Sequence, residues 1–211
     1  QRNGYKAQKI LFNVSEGCRV PAYLLVPDGD GPFPAVVMLH DHGAHFSIGK
    51  EKMVRPFGVS AEIIADADKW AIGCYDGQYT GDYFAEHGYV VLSIDALFWG
   101  ERGRKEGVNY DGQQALASNF LQMGSSWGAF INMDDVRSAE FVASLPFVLD
   151  EHHRTPDDTH QQPKQRRISL FHADTEPAPL SGLSAYGKHR LPETHPIFQW
   201  KPGQVVSGRR R

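Results

Sequence analysis

The chain has 211 residues, 22 basic and 25 acidic side chains and a net charge of −3, and this length fits one domain with a sizeable core. So small a net charge provides no global field to attract nucleic acid or a membrane surface, and we predict neither as a partner. No run reaches the ~20 apolar residues that cross a bilayer. The chain starts at Gln1, so a removed signal peptide would not be visible. We expect the protein to be periplasmic or secreted if a signal peptide was removed, and cytoplasmic otherwise.

Two cysteines, Cys18 and Cys74, are present. They are not at metal-binding or redox spacing, so we interpret them as free, partly buried thiols and leave a disulfide open as the alternative.

The N-terminal segments predict an edge hairpin followed by a buried strand. Residues 9–15 and 18–26 are β-prone and are separated by the turn signal Glu16-Gly17, which is typical of an antiparallel hairpin. Residues 35–39 form a continuous apolar run, as expected for a parallel strand that is buried on both faces. Residues 40–81 predict mainly loop, with a short helix near residues 59–67.

The following segments alternate between helix and strand. A short helix over residues 81–88 ends at a glycine and leads into a second buried strand over residues 89–94. Apolar spacing predicts a helix over residues 111–123 and another that starts near Asn132 or Asp134 and ends at Pro146. This order of strand, helix and strand predicts a doubly wound α/β sheet.

The composition changes at about Leu149, where we place a boundary between residues 1–149 and 150–211. The C-terminal segment has six of the ten His, seven of the thirteen Pro, and ten basic against seven acidic residues, whereas residues 1–149 have 12 basic and 18 acidic residues. Its apolar content is too low to offset chain entropy, so we predict disorder, or at best fragments of structure lying on the domain. The sheet would then have one central edge unpaired, which is an aggregation liability.

Glycine-containing turns follow both buried strands. The first is Leu39-His40-Asp41-His42-Gly43, and the second is Ser93-Ile94-Asp95-Ala96-Leu97-Phe98-Trp99-Gly100-Glu101-Arg102-Gly103. In acyl transfer, backbone N–H groups stabilise the oxygen that becomes negative, and a turn after a strand presents such groups. We predict Asp41 and His42 as the oxyanion donors, with an ordinary polar turn as the alternative. The predicted substrate pocket consists of His40, Gly43, Asp95, Trp99, Gly100 and Arg102.

These turns, together with Asp134-Asp135-x-Arg137-Ser138-Ala139-Glu140-Phe141, resemble the α/β-hydrolase superfamily. The nearest branch by this resemblance is that of the acetyl xylan esterases and dienelactone-hydrolase-like proteins, over about residues 9–147. It implies an incomplete doubly wound α/β-hydrolase sheet with an N-terminal hairpin. It also implies hydrolysis of a small ester or an acylated carbohydrate by a Ser-His-Asp triad, without a metal or other cofactor.

The catalytic motif that the resemblance places next is absent. The family would have a strand starting near Asp150 and ending in Gly-x-Ser-x-Gly, whereas the sequence has Asp150-Glu151-His152-His153-Arg154. A frameshift, a truncated gene model or a real alternative ending would each produce this sequence. We therefore predict an ester hydrolase lineage that is inactive as written, with unknown catalytic residues. The alternative is a non-catalytic ligand-binding or interaction module.

Two further patterns imitate catalytic motifs. Gly124-Ser125-Ser126-Trp127-Gly128 matches Gly-x-Ser-x-Gly, but the preceding residues have helical spacing, so we predict a turn and helix entry at Ser126. His40, His42 and His45 are similar to the His-x-His-x-Asp-His motif of zinc hydrolases, with Ala44 in place of the aspartate, and a zinc metallo-hydrolase is a further alternative.

Overall fold

The computed structural model describes residues 2–104, 108–149 and 169–172. They form a five-stranded mixed sheet with the order β1-β2-β4-β3-β5. The strands are β1 (Tyr5–Ser15), β2 (Cys18–Pro27), β3 (Ala35–Leu39), β4 (Val90–Ile94) and β5 (Ser169–His172), and the helices are α1 (Ala61–Tyr75), α2 (Thr80–Glu86), α3 (Tyr110–Gln122) and α4 (Trp127–Ala143).

The predicted hairpin and both predicted buried strands are present. β1 pairs antiparallel with β2 around a turn in which Gly17 has a φ of +74°, a conformation that glycine adopts without steric cost. β3 pairs in parallel with β4, from Ala35 opposite Val90 to Met38 opposite Ser93. The carboxyl ends of these two strands therefore lie side by side.

Two apolar layers cover the sheet, which explains why β3 and β4 are apolar without alternation. On one face, the buried residues of the four N-terminal strands pack against Val142 and Phe141 of α4. On the other face, the core contains Met53, Val54 and Ala85. Strands β3 and β4 are therefore buried between these two layers.

The region predicted as mainly loop contains more regular structure than expected. Helix α1 is capped by Ser60, whose side chain accepts a hydrogen bond from the Ile63 N–H, and it continues to Tyr75 instead of ending near residue 67. Its buried positions are the small residues Ala67 and Ala71, which give a weak hydrophobic pattern. A 3-10 turn at Lys50–Lys52, all buried, was also missed, because three consecutive charged residues suggest a solvated loop.

The prediction of an unpaired central edge is wrong. β5 pairs in parallel with β3, from Val36 opposite Ser169 to Leu39 opposite His172, so a strand from beyond the predicted boundary at Leu149 extends the sheet. It begins well after Asp150, where the family resemblance placed the next strand. The predicted disorder of residues 150–211 otherwise lies outside the described residues.

Cys18 is partly buried, Cys74 is exposed, and both are free thiols. Among the helices within the described ranges, none is both long and apolar enough to span a membrane.

Candidate functional site

The two predicted turns meet beyond the carboxyl ends of β3 and β4. The Ala96 N–H donates to His40 Nε2 at 3.0 Å, and the Trp99 indole N–H donates to the His42 carbonyl oxygen at 3.2 Å. A third bond joins the Gly100 N–H to the carbonyl oxygen of Phe46 at 2.9 Å. The predicted pocket residues on the two turns are thus neighbours in space, at the edge where open α/β sheets bind ligands.

His40 is fixed as a neutral imidazole. Its Nε2 accepts the hydrogen bond from Ala96, so the ring proton lies on Nδ1, which donates to the Asp41 carbonyl oxygen at 2.9 Å. Burial lowers the pKa of His40 to about 4, because removal from water disfavours the imidazolium ion. With both ring nitrogens occupied, His40 forms part of the floor of the site and has no free nitrogen for proton transfer.

The sequence predicts a role for the backbone N–H of Asp41 and none for its side chain. In the structure the Asp41 carboxylate is buried and anchors the turn. It accepts hydrogen bonds from the Trp70 indole N–H at 3.2 Å and from the Tyr75 hydroxyl, and Lys52 Nζ lies 3.4 Å away. Burial and the adjacent carboxylate raise the pKa of Tyr75, so its hydroxyl keeps its proton and stays a donor. Helix α1 thereby holds the turn after β3.

Asp95 is the centre of a second buried network. Lys50 donates to its carboxylate through the backbone N–H at 2.7 Å and through Nζ at 2.8 Å. The same Nζ lies 2.7 Å from Glu51 Oε1 and 2.7 Å from Glu101 Oε2. Burial lowers the pKa of Lys50, but the carboxylates of Asp95 and Glu51 outweigh this effect and raise it overall. One ammonium therefore ties three carboxylates together beneath the site.

Arg102 connects the second turn to α4. Its guanidinium donates to the carbonyl oxygen of Asp95 at 3.0 Å and to the buried carboxylate of Asp134 at 2.7 Å. Arg102 was predicted as a pocket residue, and the structure shows it engaged in these interactions below the turn.

Aromatic rings form one wall of the site. The His42 and Trp99 rings are 5.0 Å apart in an edge-to-face arrangement, and Phe46 lies 5.0 Å from Trp99. The exposed ring of Tyr110 stacks on His42 at 6.2 Å. Trp99 is almost fully buried, so the exposed surface of this wall comes mainly from His42 and Tyr110.

Glycine is required at two predicted pocket positions. Gly43 and Gly100 have φ values of +49° and +51°. A Cβ at Gly43 would lie 2.4 Å from the Trp70 ring, and one at Gly100 would lie 2.7 Å from the Asp95 carboxylate. Glycine at these positions allows the two turns to pass close to the Trp70 ring and the Asp95 carboxylate.

The histidines of the zinc alternative have other partners. His42 Nδ1 accepts from the Ala44 N–H at 3.1 Å, and His45 Nε2 lies 2.8 Å from Asp66 Oδ1. Over the described part of the chain, no three His, Cys, Asp or Glu side chains are grouped as metal ligands. Since His40 has no free nitrogen, the geometry disfavours a zinc site formed by His40, His42 and His45.

Ser126 begins a helix, as predicted. It precedes α4, and its Oγ accepts a hydrogen bond from the Ala129 N–H at 3.1 Å. The residues before it belong to helix α3, whereas a nucleophile elbow needs a strand there.

We expect Ser126→Ala to lower the free energy of unfolding by about 1 kcal/mol, because an N-terminal donor of α4 loses its partner. Urea unfolding measures this change. Ser126→Asp, which retains a capping oxygen, is the matched control, and equal losses in both variants would contradict the capping role.

Lys50, Glu51 and Lys52 lie beneath the candidate site and were not predicted from the sequence. The one feature of the sequence that marks this segment is Gly49. The structure explains the glycine, because a Cβ there would lie 2.3 Å from the Asp95 carboxylate and 3.2 Å from His40 Nε2. A glycine before three charged residues is too common a pattern to have identified them.

This chain is similar to known proteins in structure and in sequence. This chain superposes on a Bacteroides fragilis protein assigned as an acetyl xylan esterase, with a TM-score of 0.55 and 21% identity. The superposition covers 70% of this chain and 37% of the Bacteroides fragilis chain. The superposition on acetyl xylan esterase 1 of Thermoanaerobacterium sp. covers 70% of this chain and 38% of the esterase chain, with a TM-score of 0.41 and 17% identity. In sequence, 131 residues are 29% identical to 2,6-dihydropseudooxynicotine hydrolase of Paenarthrobacter nicotinovorans, covering 57% of this chain and 35% of that protein.

The chain thus has the α/β-hydrolase fold, as the sequence resemblance implied. Within that fold, the protein it superposes on is assigned as an acetyl xylan esterase. The chain spans little more than a third of the length of these relatives. No family model matches the sequence.

Proposed function

We propose that this chain corresponds to the N-terminal part of a serine-type carboxylic ester hydrolase that acts on small esters or acylated carbohydrates. The junction of the two turns at the carboxyl ends of β3 and β4 carries this proposal, because α/β hydrolases bind and cleave their substrates at that edge. The assigned functions of two similar proteins, a Bacteroides fragilis acetyl xylan esterase and 2,6-dihydropseudooxynicotine hydrolase, support it.

We further propose that the chain as written does not hydrolyse esters. The family resemblance places the nucleophile on a turn that follows a strand. β5 lies beside β3, and the sequence after it is Ala173-Asp174-Thr175-Glu176-Pro177, which contains no Gly-x-Ser-x-Gly. The role of Asp41 and His42 as oxyanion donors and that of the six pocket residues are part of the same proposal.

We expect the purified 211-residue chain to hydrolyse p-nitrophenyl acetate no faster than a heat-treated sample, because within residues 2–104 and 108–149 no serine hydroxyl is hydrogen-bonded to a histidine that could act as its base. Release of p-nitrophenol measures this rate. Turnover that Ser126→Ala abolishes would refute the proposed inactivity and identify Ser126 as the nucleophile.

The lineage and the inactivity are tested separately. Reading the coding sequence beyond the codon for Leu149 in all three frames tests the lineage, since a Gly-x-Ser-x-Gly elbow in another frame would support it. A chain continued in that frame should then hydrolyse the ester. If a sugar acetate raises the melting temperature of the chain without hydrolysis and no frame encodes an elbow, the binding-module alternative is favoured.

A further inference from the structure

We propose that Lys52, with His40 and Trp99, is a positioning residue that holds the N–H groups of His42 and Gly43 in an anion-binding orientation. The inference rests on the proposed function, in which the anion is the oxyanion of acyl transfer. It goes beyond that function by assigning a task to a buried lysine, and it adds the Gly43 N–H to the proposed donors.

Two consecutive carbonyl oxygens receive two donors each. The Asp41 oxygen accepts from Lys52 Nζ at 3.0 Å and from His40 Nδ1 at 2.9 Å. The His42 oxygen accepts from Lys52 Nζ at 3.2 Å and from the Trp99 indole N–H at 3.2 Å. One ammonium thus contacts both oxygens, and each oxygen has a second, rigid donor.

The direction of the N–H groups follows from the planarity of the peptide bond. In a trans peptide, the C=O of one residue and the N–H of the next point in opposite directions. Since the Asp41 and His42 carbonyls both point at Lys52 Nζ, the N–H groups of His42 and Gly43 both point away from it. Lys52 is fully buried, whereas His42 on the opposite side of these peptide groups is exposed. Neither N–H group donates a hydrogen bond to another group in residues 2–104 or 108–149.

The surroundings of Lys52 explain why its ammonium stays in place. Its Nζ lies 4.9 Å from the centre of the Trp70 ring and 6.0 Å from that of Trp99, and the Asp41 carboxylate supplies a negative charge. Two adjacent N–H groups that point the same way form a concave site for an anion, and a fixed orientation costs no reorganisation when the charge develops.

The test follows the two amides separately in the full chain. Sodium acetate is titrated into ¹⁵N-labelled protein at constant ionic strength, with sodium chloride as the replaced salt, and the His42 and Gly43 amide resonances are monitored. We expect both amide protons to shift downfield and to saturate together. In Lys52→Met, which keeps the unbranched stem, we expect acetate to bind about tenfold more weakly, or about 1.4 kcal/mol.

A second variant distinguishes positioning from general support of the turn. Trp99→Phe removes one donor from the His42 carbonyl only, so we expect the Gly43 amide to lose most of its response while the His42 amide retains it. Lys69→Met removes an exposed charge from α1 and should leave both responses unchanged. No acetate shift in the wild-type chain, or equal losses at both amides in Trp99→Phe, would overturn the proposal. These NMR titrations measure anion binding and not hydrolysis, so the proposed function is tested separately by the ester assay and by the reading frames.

Discussion

Lys50→Met is expected to lower the free energy of unfolding by about 3–5 kcal/mol, which is the usual cost of removing one partner from a buried ion pair. The methionine keeps much of the volume of the lysine stem, but it leaves the buried carboxylates of Glu51 and Asp95 without their shared countercharge. Glu101 is less affected, because it is partly exposed and also pairs with Lys9 at 2.7 Å. Urea unfolding at pH 7 measures the change.

The control for this prediction is Lys69→Met, an exposed position on α1, for which we expect a change within about 0.5 kcal/mol. Burial already raises the pKa of Asp95 to about 6, although Lys50 opposes this effect. Without Lys50 the carboxyl should take up a proton more readily, so the destabilisation should be smaller at pH 5 than at pH 7. A loss below about 1 kcal/mol at pH 7 would show that the network contributes little to stability.

Protonation of His40 is expected to lower the free energy of unfolding in acid by up to about 3 kcal/mol. Burial lowers its pKa to about 4 in the folded state, against about 6.5 in the unfolded chain, and each pKa unit corresponds to about 1.4 kcal/mol. The unfolded chain therefore binds more protons between these pH values. Consequently, this contribution to stability is fully present above about pH 6.5 and is lost as the pH falls towards 4.

Asp95 contributes with the opposite sign over an overlapping range. Its pKa is raised in the folded state to about 6, so the folded state binds its proton more readily, and this carboxyl favours folding at low pH. The pH dependence of the wild-type chain is therefore a sum of opposing effects. The difference in stability between the wild type and His40→Gln, measured from pH 7 to 4.5, isolates the histidine.

The free energy gap between the wild type and His40→Gln should narrow as the pH falls, because glutamine has no proton to take up. NMR provides a direct check, since the His40 imidazole resonances should show no titration between pH 7.5 and 5. A His40 resonance with a midpoint near 6.5 would contradict the neutral, fully hydrogen-bonded ring.

Local patterns were sufficient to predict several elements. A continuous apolar run located β3 residue for residue, and the absence of a strand before Ser126 was sufficient to reject it as an elbow serine. The start of α4 was predicted too late, near Asn132, because the cap at Ser126 precedes the first clear apolar repeat. Caps, glycine stops and apolar runs are short-range features, so they can be recognised without knowledge of the fold.

The sequence by itself determined that two glycine-containing turns follow two buried strands, and therefore that they meet at one edge of a sheet. Only the tertiary structure decided that Lys50 and Lys52 are buried and that β5 pairs with β3. Lys50 finds its partner Asp95 45 residues along the chain, and β5 lies more than 100 residues after β3. Whether a charged side chain is buried or a short strand pairs depends on partners distant in sequence, and these partners are brought into contact only by folding.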